Sequence, residues 1–483
     1  MSGLLKPIVR LLPLALLIAL ILSSCKKDAL LTGSGYKLNF SQNSLLFDTV
    51  FTTAGSTVQA FEVLNKHSQP INISSVKLAG GAASPYKINI DGTPGTSFSN
   101  IQIPANDSIY VFVTVTVNPG KVNTPFLVED SVMFTTNGNL QSVYLEAYGQ
   151  NAIFIKPTVF PPTGPAFSLI PCSAVWTSAL PVVISGSAVV NTGCTLTIEP
   201  GTKIYMHNNA TLYVSGGATL NINGAAGSPV VFQGDRLDAA YQTIPGQWGE
   251  ILLSPLSVNN TVNWAVVKNG IVGIEADSNG SGYLAPTLNI SHTIIKSMSE
   301  FGLLGQDAYI TGDNLLVEDC QYYCVNLNIG GNYRFNQCTF ASYWSYTQRQ
   351  TALLNINNYY FDNSNNLHTR SMDSAIFYNC IVYGSQANEV NLDTKGGTFG
   401  YAFYNCELKT NIGSNPNFNA KTQGLVNQDP LFSNTAEPPA DDYHVNGSIS
   451  PALLQGSAAY GNYPNDLDGS ARVYPSTLGA YQR

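Results

Sequence analysis

The sequence predicts an all-β protein in which an immunoglobulin-like β-sandwich precedes a parallel β-helix. Between Val183 and Phe232, apolar residues two apart recur: Leu196 with Ile198, Leu212 with Val214, Leu220 with Ile222, Val230 with Phe232. Each pair is a short half-buried strand, because alternate strand side chains face the same way. Pro200-Gly201, Gly216-Gly217 and Gly227-Ser228-Pro229 punctuate the pairs. Strands this short bury a core only when each coil stacks on the next, which is the pattern of a β-helix. Upstream, residues 36–150 carry about seven or eight short strands between turn signals, the number an immunoglobulin-like sandwich needs.

Composition narrows the function. The 483 residues carry a formal charge of −8, and only 11% are charged. An acidic surface without basic clusters argues against nucleic acid and against electrostatic docking on anionic lipid. Residues 1–24 read as a targeting segment, with Lys6 and Arg10 before an apolar run from Leu11 to Leu22. That run is shorter than the ~20 residues a spanning helix needs but suits a secretory leader. Leu22-Ser23-Ser24-Cys25 resembles a bacterial lipobox. The resemblance implies a lipidated Cys25 as mature N-terminus, an outer-membrane address and, from Lys26-Lys27-Asp28, surface exposure. Residues 25–35 are a tether, and the chain beyond Cys25 is expected to be soluble.

In the sandwich the clearest strand is Ser108–Val117, with Ile109, Val111, Val113, Val115 and Val117 on one face. Further strands are expected at 44–51, 57–64, 71–78, 86–90, 131–135 and 142–148. Nothing in this module carries chemistry. Residues 151–170 contain Pro157, Pro161, Pro162 and Pro165 and read as a stiff linker.

The β-helix is placed at 171–432 and a C-terminal cap at 433–483. Val266, Val267 and Lys268 recur 28 residues on as Ile294, Ile295 and Lys296, and Cys380 recurs 26 on as Cys406. A step of 42 separates Cys338 from Cys380, either one coil with an insertion or two coils. Phe335-Asn336-Gln337-Cys338, Phe377-Tyr378-Asn379-Cys380 and Phe403-Tyr404-Asn405-Cys406 share one setting, so these cysteines read as small buried apolar groups. Cys172 and Cys194 are expected to pair, in an oxidising compartment.

Gln247-Trp248-Gly249, Asn332–Phe340 and Asn379–Gly384 resemble right-handed parallel β-helix lipoproteins of Bacteroidota-type bacteria. The tail, Ser450-Pro451-Ala452, Asp466-Leu467-Asp468-Gly469-Ser470-Ala471-Arg472 and Gly479-Ala480-Tyr481, is similar to the SPA…DxDGxxR…GAYE ending of secreted β-helix proteins, with Gln482 where the final Glu stands. Asp466 to Arg472 is expected to form a turn in which Arg472 pairs with an Asp.

The fold hosts polysaccharide lyases and hydrolases, but the motifs of polygalacturonase-type enzymes are absent from the β-helix. Asp235, Asp238, Asp313, Glu318, Asp319, Asp362 and Asp373 are the carboxylates considered, with Asp313, Glu318 and Asp319 the nearest to a cluster. Calcium at that cluster is weighed against solvated turn and strand-edge acids, and the acids are the favoured reading. His207, His292 and His368 lack zinc spacing, so neither a metal nor a cofactor is expected. Aromatic and amide residues concentrate near the insertion. Sugars offer apolar faces edged with hydroxyls, so Tyr343, Trp344, Tyr346, Arg349, Tyr359, Tyr360 and Asp362 are the candidate ligand-binding residues. The expectation is a surface-tethered outer-membrane lipoprotein whose β-helix binds an extended partner, a polysaccharide. The alternatives are a polysaccharide lyase or glycoside hydrolase, and a structural or adhesive surface protein without a glycan ligand. The catalytic residues and the oligomeric state are left open.

Overall fold

A computed structural model describes residues 29–120, 123, 125–278, 282–411, 422–436 and 440–483. The leader and the expected lipidation site, Cys25, lie outside the described residues. The chain divides into two compact units, Met1–Asn151 and Ala152–Arg483.

The first unit is a sandwich of two five-stranded sheets. One orders Asn39–Phe40, Gln59–Asn65, Asp107–Val115, Tyr86–Ile90 and Thr93–Gly95; the other orders Ser44–Phe51, Asn139–Gln150, Phe126–Thr136, Ile71–Leu78 and Ser97–Ile103. Val63, Val111, Val113, Phe134 and Leu145 close the space between them. Ser97–Ile103 is a strand the sequence reading lacks. Asn100 adopts φ +56° within it, which interrupts the alternation that marks a strand.

The second unit is a parallel β-helix, a 26-stranded sheet wound so that each strand pairs with the strand one coil later. Three faces result. Face one stacks Val182–Ile184, Lys203–Met206, Val230–Gly234, Ala265–Lys268, Ile294–Met298, Leu316–Cys320, Thr339–Ser342 and Ile381–Gly384. Face two stacks Ser187–Val190, Thr211–Val214, Ile251–Leu253, Val272–Asp277, the first half of Phe301–Asp313, the first half of Tyr323–Asn336, Leu354–Asn357 and Val390–Asp393. Face three holds the second halves of those two long strands with Thr195–Ile198, Thr219–Asn223, Asn260–Asn263, Leu288–Ser291 and Met372–Tyr378.

The helix begins earlier than expected. Ile153–Ile155 pairs with Val182–Ile184, and Phe167–Leu169 with Ser187–Val190, so the proline-rich stretch contributes first-coil strands. Its prolines fall outside those strands, where no ladder hydrogen bond is lost. The 42-residue step is one coil, since Phe340 pairs directly with Val382. Cys172 and Cys194 form a disulfide across adjacent coils.

The bore repeats one device. Phe335, Phe377 and Phe403 stack at 5.4 and 4.9 Å between ring centres. Two residues beyond each Phe, Gln337, Asn379 and Asn405 take φ +53°, +52° and +58° and turn the corner onto face one. Asn tolerates this left-handed backbone better than most side chains. The next residue, Cys338, Cys380 or Cys406, points inward and is fully buried. Cys320 stands at the opposite end of its strand, so the 18-residue spacing from Cys320 to Cys338 is not a coil length.

The tail folds back over the outside of face one and this corner. Tyr443, Leu467 and Tyr481 pack with Leu316 and Ala341. Gln337 Nε2 donates to Ser476 Oγ at 2.7 Å, and Asn379 Oδ1 accepts from the Ser457 amide at 2.9 Å. Among the described residues Arg472 pairs with no Asp. Its guanidinium donates to Asn314 Oδ1 at 2.7 Å and to the Gly479 and Ala480 carbonyls. An amide oxygen and two carbonyls receive Nε and Nη2 of a guanidinium turned into the interior, where a second desolvated charge is costly, and Nη1 is buried with no acceptor among the described residues. Asp466 instead closes its own turn, accepting from the Asp468 and Ser470 amides.

Candidate carbohydrate cleft

Face two carries a column of outward side chains fixed by the register: Val189, Tyr213, Leu252, Glu275, Leu304, Asn326, Asn355 and Asn391. Its chemistry changes along the axis, from apolar through acidic to amide. At the amide end, Asn355 Nδ2 donates to Asn326 Oδ1 at 2.8 Å and Asn391 Nδ2 to Asn355 Oδ1 at 2.7 Å. Asn326 and Asn355 are each 6% exposed although they point away from the bore, because the surrounding loops rise beside them.

The 42-residue coil builds those edges. Residues 343–353 enter face two and residues 358–371 leave it, the second containing an antiparallel hairpin of Tyr359–Phe361 with Leu367–Thr369. Beside the amide ladder lies a cavity of about 470 Å³ lined by Tyr323, Gln350, Thr351, Ala352, Gln386, Ala387, Asn388 and Asn391. The Tyr323 ring stacks on Phe301 at 6.0 Å, which presents an aromatic surface next to the amides. An apolar groove of about 590 Å³ runs along the same face at its first coils, lined by Leu169, Val189 and Tyr213 among others.

The middle of the face is acidic. Glu275 and Asp277 are two apart on one strand and both point outward. Gln306, opposite Asp277 in the next coil, donates to Glu275 and, at 3.4 Å, to Asp277. Glu250 stands within hydrogen-bonding reach of Glu275. Burial, then the Glu275 charge, pushes both Glu250 and Asp277 up to about 7. An acid titrating near neutrality can give or take a proton. The sequence reading passed over these acids; the Glu275-x-Asp277 alternation was visible, but the approach of Glu250 depends on the coil register.

The seven residues expected to bind ligand do not share one exposed face. Tyr343 packs against Phe432 and Tyr443 of the tail, and Trp344 is 7% exposed with Nε1 donating to Thr347. Tyr346 is exposed, its hydroxyl donating to the Thr243 carbonyl. Arg349 is turned inward at 3% exposure, its guanidinium donating to both carboxylate oxygens of Glu389. Glu389 also accepts from the Leu353 and Gln386 amides, so this buried pair ties together the two loops lining the cavity. Tyr359, Tyr360 and Asp362 lie on the hairpin at the other edge. The Tyr359 hydroxyl donates to Asp393, and Tyr360 stacks on His368. Asp362 accepts from His368, Asn366 and Ser364, which holds its carboxyl below the usual carboxylate range and organises the turn.

Of the other carboxylates, Glu318 and Asp319 meet Asp441 of the tail on the outer side of face one. Asp313 stands apart beside Asn314, and Asp235 pairs with His207 at 2.6 Å.

Residues 172–325 match a family model described as a pectate-lyase-like β-helix domain. No curated protein matches the chain. Among solved structures, a family 123 glycoside hydrolase from Clostridium perfringens aligns at 10% identity and TM-score 0.18, covering 24% of this chain and 27% of that one. A Salmonella enterica SafA pilin–SafB chaperone complex aligns at 12% identity and TM-score 0.16, covering 24% and 55%. A PapD-like domain of human CEP192 aligns at 11% identity and TM-score 0.17, covering 26% and 92%. The chain thus spans about a quarter of the hydrolase and about half of the pilin–chaperone chain. At these TM-scores the likenesses carry no inference.

Proposed function

We propose that the β-helix binds an extended polysaccharide along face two and that a lipid on Cys25 holds the protein at the outer membrane. One observation carries the binding reading: the Asn326–Asn355–Asn391 ladder ends in a polar cavity with the Tyr323 ring beside it. Amides reach sugar hydroxyls as donors and as acceptors, and a ring receives the apolar sugar face. The pectate-lyase-like match over residues 172–325 agrees with a polysaccharide partner. A glycan array tests the reading, with Asn391→Ala and Tyr323→Ala expected to lose the wild-type hits and Trp344→Ala, which does not line the cavity, expected to keep them. Identical hits in all four proteins would end it. For the anchor, Cys25→Ser should abolish incorporation of labelled fatty acid; unchanged incorporation would remove that part.

A second reading rests on Glu250, Glu275 and Asp277: the same face cleaves the glycan it binds. Neighbouring carboxyls of which two titrate near neutrality are what general acid and base catalysis of glycan cleavage asks for. Assays for new reducing ends and for unsaturated products on an array hit decide it. Products lost in Glu250→Gln and Asp277→Asn would make the protein an enzyme, and no products would leave it a binder.

A further inference from the structure

Lys296 and Glu318 are neighbours in register on the outer side of face one, and Asp319 follows where the strand turns at φ +47°. The tail lays Asp441 and Tyr443 over them. Lys296 Nζ donates to Glu318 Oε1 at 3.1 Å and to Asp441 Oδ2 at 3.0 Å. Asp319 accepts from the Tyr343 amide at 2.7 Å and from the Tyr443 hydroxyl at 3.1 Å. Two oxygens remain: Glu318 Oε2 and Asp441 Oδ1 are buried with no amine, amide or hydroxyl donor among the described residues, and the two carboxyls lie within hydrogen-bonding reach of each other. Both side chains are almost wholly enclosed, at 2% and 3% exposure. A buried charged oxygen left unmatched is costly.

The charges do not balance either, since three carboxylates face one ammonium. Each of the three offers an oxygen within 4.8 Å of the others. Oxygens bound to one calcium ion at ~2.4 Å stand at most ~4.8 Å apart, and calcium takes an enclosed set of carboxylates more readily than magnesium, which gives up its waters reluctantly. We infer that Glu318, Asp319 and Asp441 form a calcium site that clamps the C-terminal tail to the β-helix. The two unmatched oxygens become ligands, and the double positive charge neutralises what Lys296 leaves. This site is independent of glycan recognition on face two.

The test begins with the wild-type protein stripped by chelator. Calcium added alone should bind with a component of one ion per chain and raise the melting temperature by several degrees; magnesium should do so poorly. Terbium in its place should show luminescence sensitised by Tyr443. Asp441→Asn and Glu318→Gln should weaken this component at least about tenfold. No calcium uptake and no melting shift in the wild type would overturn the proposal and leave an ion pair with a shared proton. Binding undiminished in both folded variants would overturn it too, by placing the ion elsewhere.

Discussion

Single residues decide how this protein responds to pH. Glu407 is fully buried on face one, and neither carboxylate oxygen has a partner among the described residues. Burial, then the Asp429 charge, pushes its carboxyl up to about 8. The folded state therefore holds a proton that the unfolded chain releases near pH 4.5. Stability must fall as pH rises through the window from about 4.5 to about 8, by a few kcal/mol (roughly) at its end. Glu407→Gln removes the titration. The variant should melt with wild type near pH 4 and above it by pH 8.5, whereas parallel curves would show that the carboxyl is not held neutral. At the Asn379 corner, φ +52° makes Asn379→Ala costly by roughly 1–2 kcal/mol, and Asn379→Gly should restore backbone ease without the bonds to the tail. Equal melting of the two variants would remove the conformational part of that argument.

Elements explain why this sequence can be read in part. The outward-inward alternation that makes Leu196–Ile198 or Leu212–Val214 a strand is local, so it is legible without knowing what lies in the next coil. The echoes of Phe, any residue, Asn or Gln, then Cys are legible for the same reason, and the stacked Phe rings are their consequence. Phe377 lies between Phe335 and Phe403, so Phe377→Ala should cost about 3–5 kcal/mol by chemical denaturation. A loss under 1 kcal/mol (about the cost of a conservative swap) would mean that the bore collapses around the gap. The cleft was not legible, because it depends on register between coils of unequal length. Asn326, Asn355 and Asn391 are 29 and 36 residues apart and look unrelated until they pair. Arg349 illustrates the opposite difficulty. An arginine among aromatic residues reads as a ligand contact, yet its partner Glu389 lies 40 residues on and draws it inside. Arg349→Leu should therefore open the loops around the cavity and weaken glycan binding through position alone. Glu389→Leu should do the same, and the double variant should lose less than the sum. Strict additivity would contradict a shared role.

At the scale of the molecule, the helix supplies a rigid repeating floor, and one long coil supplies the departures from repetition. Insertions at both edges of face two turn a flat lattice into a walled cleft, and the tail covers face one instead. The proposed glycan binding thereby falls on one lateral surface of three. Hydrogen–deuterium exchange of the intact protein with and without a bound array-selected polysaccharide tests this most directly. Slowed exchange concentrated in residues 323–328, 350–357 and 386–393 is the result the account predicts. Protection confined to the N-terminal sandwich or to the tail over face one would contradict it.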